Sequence, residues 1–233
     1  MTDNLPVGTN LLIKVAPETG ITGQNIINDG VSESHVLTDG ADFGTPDAFT
    51  ATQVSFTTNV NAYKTLVLPF EATVPADFTA AKAASVTGNL VNLEETSTIG
   101  AGQPVLVQGT GEFQLTASNA AVAATEDAAL TEGVLSGTYK SIPAPVGSYV
   151  LQNQNSIIGF YQVAETQPTV GAFRAWLNVP ASDVKAYYFG DEATSINEVF
   201  GMTLEGAIYN LAGQRLSKMQ KGVNIVNGKK ILK

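Results

Sequence analysis

The sequence predicts an all-β protein: an antiparallel β-sandwich body followed by a small C-terminal β-hairpin unit. Three observations predict it. Apolar and polar residues alternate with period two in several short runs, as half-buried strands require. Turn-forming Gly, Pro, Asn and Asp separate those runs about every ten residues, the spacing of sandwiches and barrels. Only the stretch from Asp77 to Ala84 reads as helix, with Asp77 placed as an N-cap before an alanine-rich turn or two.

Taken in order, Gln53-Val54-Ser55-Phe56-Thr57 alternates cleanly, and Tyr63 to Leu68 is a strand stopped by Pro69, which cannot donate to a ladder. The runs from Pro104 to Gln108 and from Glu112 to Thr116 flank Gly109-Thr110-Gly111, which predicts a hairpin with a glycine-bearing loop. A second hairpin is predicted from Ser148–Leu151 and Ile157–Tyr161, joined by a polar Gln-Asn-Gln-Asn stretch. Ala172 to Leu177 and Val184 to Phe189 supply two more strands. The segments are then 1–40, an N-terminal β stretch that joins the body or stands before it, 41–190, the sandwich, and 191–233, the tail.

The 233-residue chain is long enough to bury a sizeable core. Its net charge of −9 places no dense cluster of Lys and Arg on the body, which argues against nucleic acid as a partner. With no cysteine, disulfides, thiolate metal sites and cysteine nucleophiles are excluded. No apolar run reaches the length of a membrane helix. Met1-Thr2-Asp3-Asn4 lacks the basic and apolar regions of a signal peptide, so the chain reads either as a cytosolic protein or as a fragment whose leader has been removed, and the fragment is the favoured reading.

The tail differs from the body in charge. Its acids are Asp191, Glu192, Glu198 and Glu205, and after Glu205 come only bases: Arg215, Lys218, Lys221, Lys229, Lys230 and Lys233. Asn227-Gly228 joins Val223–Val226 to Lys229–Leu232, and Asn-Gly is the strongest two-residue hairpin signal because a type I′ turn needs positive φ twice. The phrases Ile208-Tyr209-Asn210-Leu211-Ala212-Gly213-Gln214-Arg215 and Lys221-Gly222-Val223 through Gly228-Lys229-Lys230 resemble C-terminal sorting domains of the type IX (Por) secretion system. Those domains close surface proteins of Bacteroidota-type bacteria. Asn224 departs from the pattern, standing where an aromatic is usual. Val36 to Phe43, Phe49 to Thr52, Thr65 to Phe70 and Ala101 to Val107 resemble phrases of modules found just before such tails. The resemblance implies export to the cell surface, with Tyr209, Gly213, Gly222, Gly228, Lys229 and Lys230 in the sorting-like tail and the secretion machinery as its partner.

Chemistry is sparse. His35 has Ser34 and Asp39 near it in sequence, but neighbours on a strand face opposite ways, so a catalytic triad is not expected. Glu94 and Glu95 diverge for the same reason and make no glycosidase pair. Asp39 and Asp42, in Asp39-Gly40-Ala41-Asp42, are the candidates for Ca²⁺, although an Asp-Gly turn explains the same letters. For ligand binding the candidates are Arg174, Trp176 and Tyr188. Alternation in Phe173-Arg174-Ala175-Trp176-Leu177 sets Arg174 and Trp176 on one face, and the competing reading has Trp176 covering a second core. No catalytic residue, metal or cofactor is expected. The function read from the sequence is a non-catalytic, exported cell-surface module for adhesion, scaffolding or display, with a surface glycan or protein as partner. The rival reading is a carbohydrate-binding module of a larger secreted enzyme.

Overall fold

Side-chain burial alternates along the longest strands of the chain, and that alternation organises the protein. The computed structural model describes residues 10–125 and 130–189, and the strand residues 208–210, 215–216, 223–226 and 229–232. The first strands are β1 (Ile13–Val15), β2 (Ile26–Asn28), β3 (Val31–Thr38), β4 (Phe49–Leu66) and β5 (Ala72–Thr73). They are followed by β6 (Thr79–Thr87), β7 (Leu90–Thr96), β8 (Thr98–Ile99), β9 (Val105–Val122), β10 (Thr131–Glu132) and β11 (Leu135–Thr138). Then come β12 (Ile142–Pro143), β13 (Tyr149–Gln154), β14 (Ile157–Gln162), β15 (Thr169–Val170), β16 (Arg174–Leu177) and β17 (Ala186–Tyr187). Among the described residues there is no α-helix, only a single 3₁₀ turn at Pro17–Thr19. The protein is all-β.

The body is a β-sandwich. Its seven-stranded sheet runs β1-β2-β3-β4-β9-β6-β7, and its six-stranded sheet runs β10-β11-β16-β13-β14-β17. Ladders are antiparallel except β1–β2 and β3–β4, which are parallel. Through these two pairs residues 13–38 are built into the same sheet as the rest of the body. At the centre β4 and β9 pair in one constant register from Phe49↔Val122 to Leu66↔Val105, interrupted at Thr52 and Asn119. Val54, Phe56, Thr58 and Val60 are buried on β4, and Phe113 and Leu115 answer them on β9. Upstream, the buried positions of β4 are Phe49 and Ala51, so the alternation slips by one residue at Thr52. The same slip occurs at Asn119 on β9, where φ is +51°.

Several elements differ from the sequence reading. Asp77–Ala84 is not helical: Thr79–Thr87 is a strand paired with β7 and, at Thr79–Ala81, with β9. Isolated helices of eight residues are marginal, so tertiary pairing overrides alanine's propensity. Gly109-Thr110-Gly111 is not a hairpin loop but the middle of β9, just as the two strands expected around residues 53–68 merge into β4. Gly109 has φ +154°, and a Cβ there would lie 2.2 Å from the ring of Phe78, which packs 4.7 Å from Phe113. That glycine therefore serves a close ring approach rather than a turn. The β13–β14 hairpin forms as expected, with the strands extended through Gln154 and the turn at Asn155 and Ser156, φ +52° and +67°. Positive φ at both positions is the type I′ requirement.

The two sheets meet through side chains and one hairpin. Phe173 sits 5.1 Å from the ring of Phe56 and 6.2 Å from that of Phe43, within a core that includes Leu66, Leu68, Phe70 and Ile99. Beyond Ala81, β6 parts from β9, and the Ala83 carbonyl accepts a hydrogen bond from Val134 N at 2.8 Å. Ala84 is bulged out of register there, and Lys82 pairs with Glu132 at 2.8 Å beside it.

The chain divides into two compact units, Met1–Tyr188 and Phe189–Lys233. In the second, β18 (Ile208–Asn210), β19 (Arg215–Leu216), β20 (Val223–Val226) and β21 (Lys229–Leu232) form one antiparallel sheet in the order β19-β18-β20-β21. Its hairpin closes at Val226↔Lys229, and Lys230 stands opposite Ile225. Tyr209 stands between Arg215 and Ile225. Gly213, Gly222 and Gly228 of the sorting-like phrases lie outside the described residues.

Candidate functional site

The site follows from a gap in the six-stranded sheet. β13 and β16 pair only at Tyr149↔Leu177 and then splay apart. Ala175 would be left with an unpaired N–H and C=O on that side. Thr65 of β4 fills the place of a ladder partner: its Oγ1 donates to Ala175 O at 3.0 Å and accepts from Ala175 N at 3.1 Å. The wedge between the strands is a pocket of about 210 Å³, lined by Tyr63, Lys64, Thr65, Val150, Leu151, Thr169, Val170, Gly171, Arg174 and Ala175.

Two cations at this pocket share one carboxylate. Arg174 Nη2 donates to both oxygens of Asp39, at 2.5 and 2.7 Å. Thr58 Oγ1 also donates to Asp39 and accepts from Lys64 Nζ at 2.7 Å, while Lys64 reaches Asp39 at 3.4 Å. All three charged side chains are about one-fifth exposed. Burial would raise the Asp39 carboxyl, but the Thr58 hydrogen bond and the Arg174 charge outweigh it and hold the group below the usual carboxylate range. Lys64 is pushed below the usual ammonium range, first by burial and then by repulsion from Arg174. The cluster thus carries one positive charge beyond what Asp39 neutralises. A wider groove of about 540 Å³ along residues 116–121 has Glu71 as its one charged lining residue and presents no comparable chemistry.

The structure separates the residues expected to bind. Arg174 and Trp176 share a face of β16, as alternation required, while Ala175 and Leu177 are buried on the other. Trp176, however, packs against Ala144, Val150, Val163 and Val170 and forms part of a second, smaller core. The cover is the short ladder of β12 and β15. Tyr188 is elsewhere. It follows β17, three strands from β16 in the sheet order. Its backbone exchanges hydrogen bonds with Asn89 and Val91 at the edge of the seven-stranded sheet, and its ring meets Tyr161 edge-on at 6.2 Å.

Asp39 and Asp42 do not converge on a cation site. Asp39 is committed to Arg174, Thr58 and Lys64, and Asp42 accepts from Ser141 N at 2.7 Å. Among the described residues no three His, Cys, Asp or Glu side chains are grouped to hold a metal ion. Glu94 and Glu95 are exposed on β7. His35 is 1% exposed, and neither ring nitrogen has a hydrogen-bond partner among the described residues. Phe49 and Phe43 flank it at 5.1 and 5.8 Å.

Burial pushes the His35 imidazole down from the ordinary 6.5 to about 4. Above pH 6.5 it is neutral whether folded or not. As pH falls toward 4 the unfolded chain takes up a proton that the folded chain refuses, and about 3 kcal/mol of stability is lost across that window. His35→Leu should remove this slope and, by deleting two orphaned polar atoms, gain about 1–3 kcal/mol at neutral pH. Urea melts of both proteins at several pH values test this; a variant that is destabilised, or that keeps the acid slope, refutes it.

Sequence reasoning missed Asp39 as the partner of Arg174, with Lys64 and Thr58 beside it and Thr65 on Ala175, because nothing in a strand pattern reports a contact between residues this far apart. Set against known protein families, curated proteins and solved structures, the chain matches none of them.

Proposed function

We propose that the chain is a non-catalytic module displayed at the surface of a bacterial cell, for adhesion, scaffolding or display, and that residues 191–233 serve its export or attachment. The observation that carries this reading is the separate C-terminal unit. Among the described residues the ladder partners of β18–β21 lie within the unit itself, and its strands fall in the phrases that resemble type IX sorting domains. Its bases also follow the last acid, so the unit presents a charge opposite to that of the body. The partners on this reading are the secretion machinery, through the tail, and a surface glycan or protein, through the body.

The rival reading, a carbohydrate-binding module, relied on Trp176 as a ring exposed for sugar stacking. With that ring laid over the second core, the reading loses its main support.

Deleting residues 206–233 from the full-length protein in its native host tests the proposal. The expected result is a body that still folds, shown by protease resistance in cell extracts, but is retained inside the cell. Normal export of the shortened protein, or a body that unfolds without its tail, overturns the export reading.

A further inference from the structure

We propose that the wedge between β13 and β16 is a binding site for a small organic carboxylate of monosaccharide or amino-acid size. This goes beyond the export reading and stands independently of it, since it concerns the body alone.

The charge argument is direct. Lys64 and Arg174 together hold two positive charges against the single carboxylate of Asp39, so a monoanion completes the neutralisation. Donors remain for it. The hydrogen bonds of Lys64 go to Thr58 and Asp39, which leaves one of its three ammonium protons. Those of Arg174 use one Nη1–H and Nη2, which leaves Nε–H and the second Nη1–H. A guanidinium and an ammonium at one-fifth exposure interact with an anion more strongly than surface groups do, because water screens them less.

Burial also raises the cost of leaving the cluster as it is. The ammonium of Lys64 is disfavoured by desolvation and by Arg174, and a bound carboxylate offsets both effects.

Size and walls set the rest of the ligand. A pocket of about 210 Å³ has room for about seven water molecules, which suits one sugar ring or one amino acid and excludes a folded polymer. Val150, Leu151 and Val170 line the same pocket as the cations, so an apolar flank beside the carboxylate suits the ligand, and Thr169 and Gly171 complete the lining.

The test uses amide NMR spectra of the whole chain titrated with glucuronate and N-acetylvaline, each against its neutral counterpart, glucose and N-acetylvalinamide. The expected result is saturable shifts at Leu151, Gly171 and Ala175 with at least one carboxylate and none with its neutral partner. Which acid binds more tightly distinguishes a saccharide source from a peptide source. Lys64→Met keeps the stem but removes the excess charge, and it should weaken binding about tenfold or more with the rest of the spectrum unchanged. Asp39→Asn adds to the positive charge and should tighten binding. Equal shifts with charged and neutral ligands, no saturable shift with either acid, or unchanged affinity in Lys64→Met overturns the proposal.

Discussion

Gly133→Ala is expected to lower the free energy of unfolding by about 3 kcal/mol or more, among the larger single losses available in this fold. Gly133 has φ +57°, and a Cβ on it would lie 2.1 Å from the backbone oxygen of Ala83. That oxygen cannot swing aside, because it accepts the hydrogen bond from Val134 N that ties the β10–β11 hairpin to β6. Relief therefore requires the two sheets to part locally. Gly88 provides the control, with φ +61° and open space where its Cβ would point. Gly88→Ala should cost about 1 kcal/mol, the conformational part alone. Urea unfolding of both variants decides the matter: equal losses would mean that the contact with Ala83 carries no weight.

Thr65→Val should cost about 2–4 kcal/mol although it changes no volume. The hydroxyl is the partner of both Ala175 N and Ala175 O, and valine leaves two buried backbone groups unsatisfied at about 1–3 kcal/mol each. Thr65→Ser keeps the hydroxyl and should retain most of the stability. The same unfolding measurement tests it, with loss of the cationic pocket as a second readout, since Thr65 holds the wedge between β13 and β16 at its base. A valine variant as stable as the serine variant would show that β16 finds another partner.

Much of the strand content was legible because burial on one face imposes period two, and Val54, Phe56, Ala175 and Leu177 fall where that period places them. The β13–β14 hairpin was legible from the two apolar runs that flank Gln152–Asn155, but its tight turn at Asn155-Ser156 was not, because the polar residues 152–154 read as loop while they continue the strand. Glycine was misleading where its use was different. Gly109 reads as a loop residue, yet it lies in mid-strand because Phe78 needs the space above it. The alanines of 80–84 read as helix because their intrinsic preference is visible in sequence while their ladder partners, Leu106 and Val107 on one side and Leu93 and Glu95 on the other, are not. The candidate site shows the same division. That Arg174 faces away from the main core follows from alternation. That it meets Asp39, 135 residues earlier, is a property of sheet packing, and a single sequence holds no record of it.

The matched slips in β4 and β9 have a consequence for how the chain reaches this fold. Two long alternating strands can ordinarily dock two residues out of place and still bury their apolar faces, producing long-lived misfolded traps. Here the alternation breaks at Thr52 and Asn119, the one position the ladder skips, and the two breaks fall together only in the native alignment. Any two-residue displacement leaves a stretch between the breaks in which one strand turns its apolar side outward. Misaligned pairings therefore bury less apolar surface than the native one, which favours the native register. For a sheet whose central pair must be found across a loop of dozens of residues, a slow search in any case, this keeps the search from ending in the wrong place.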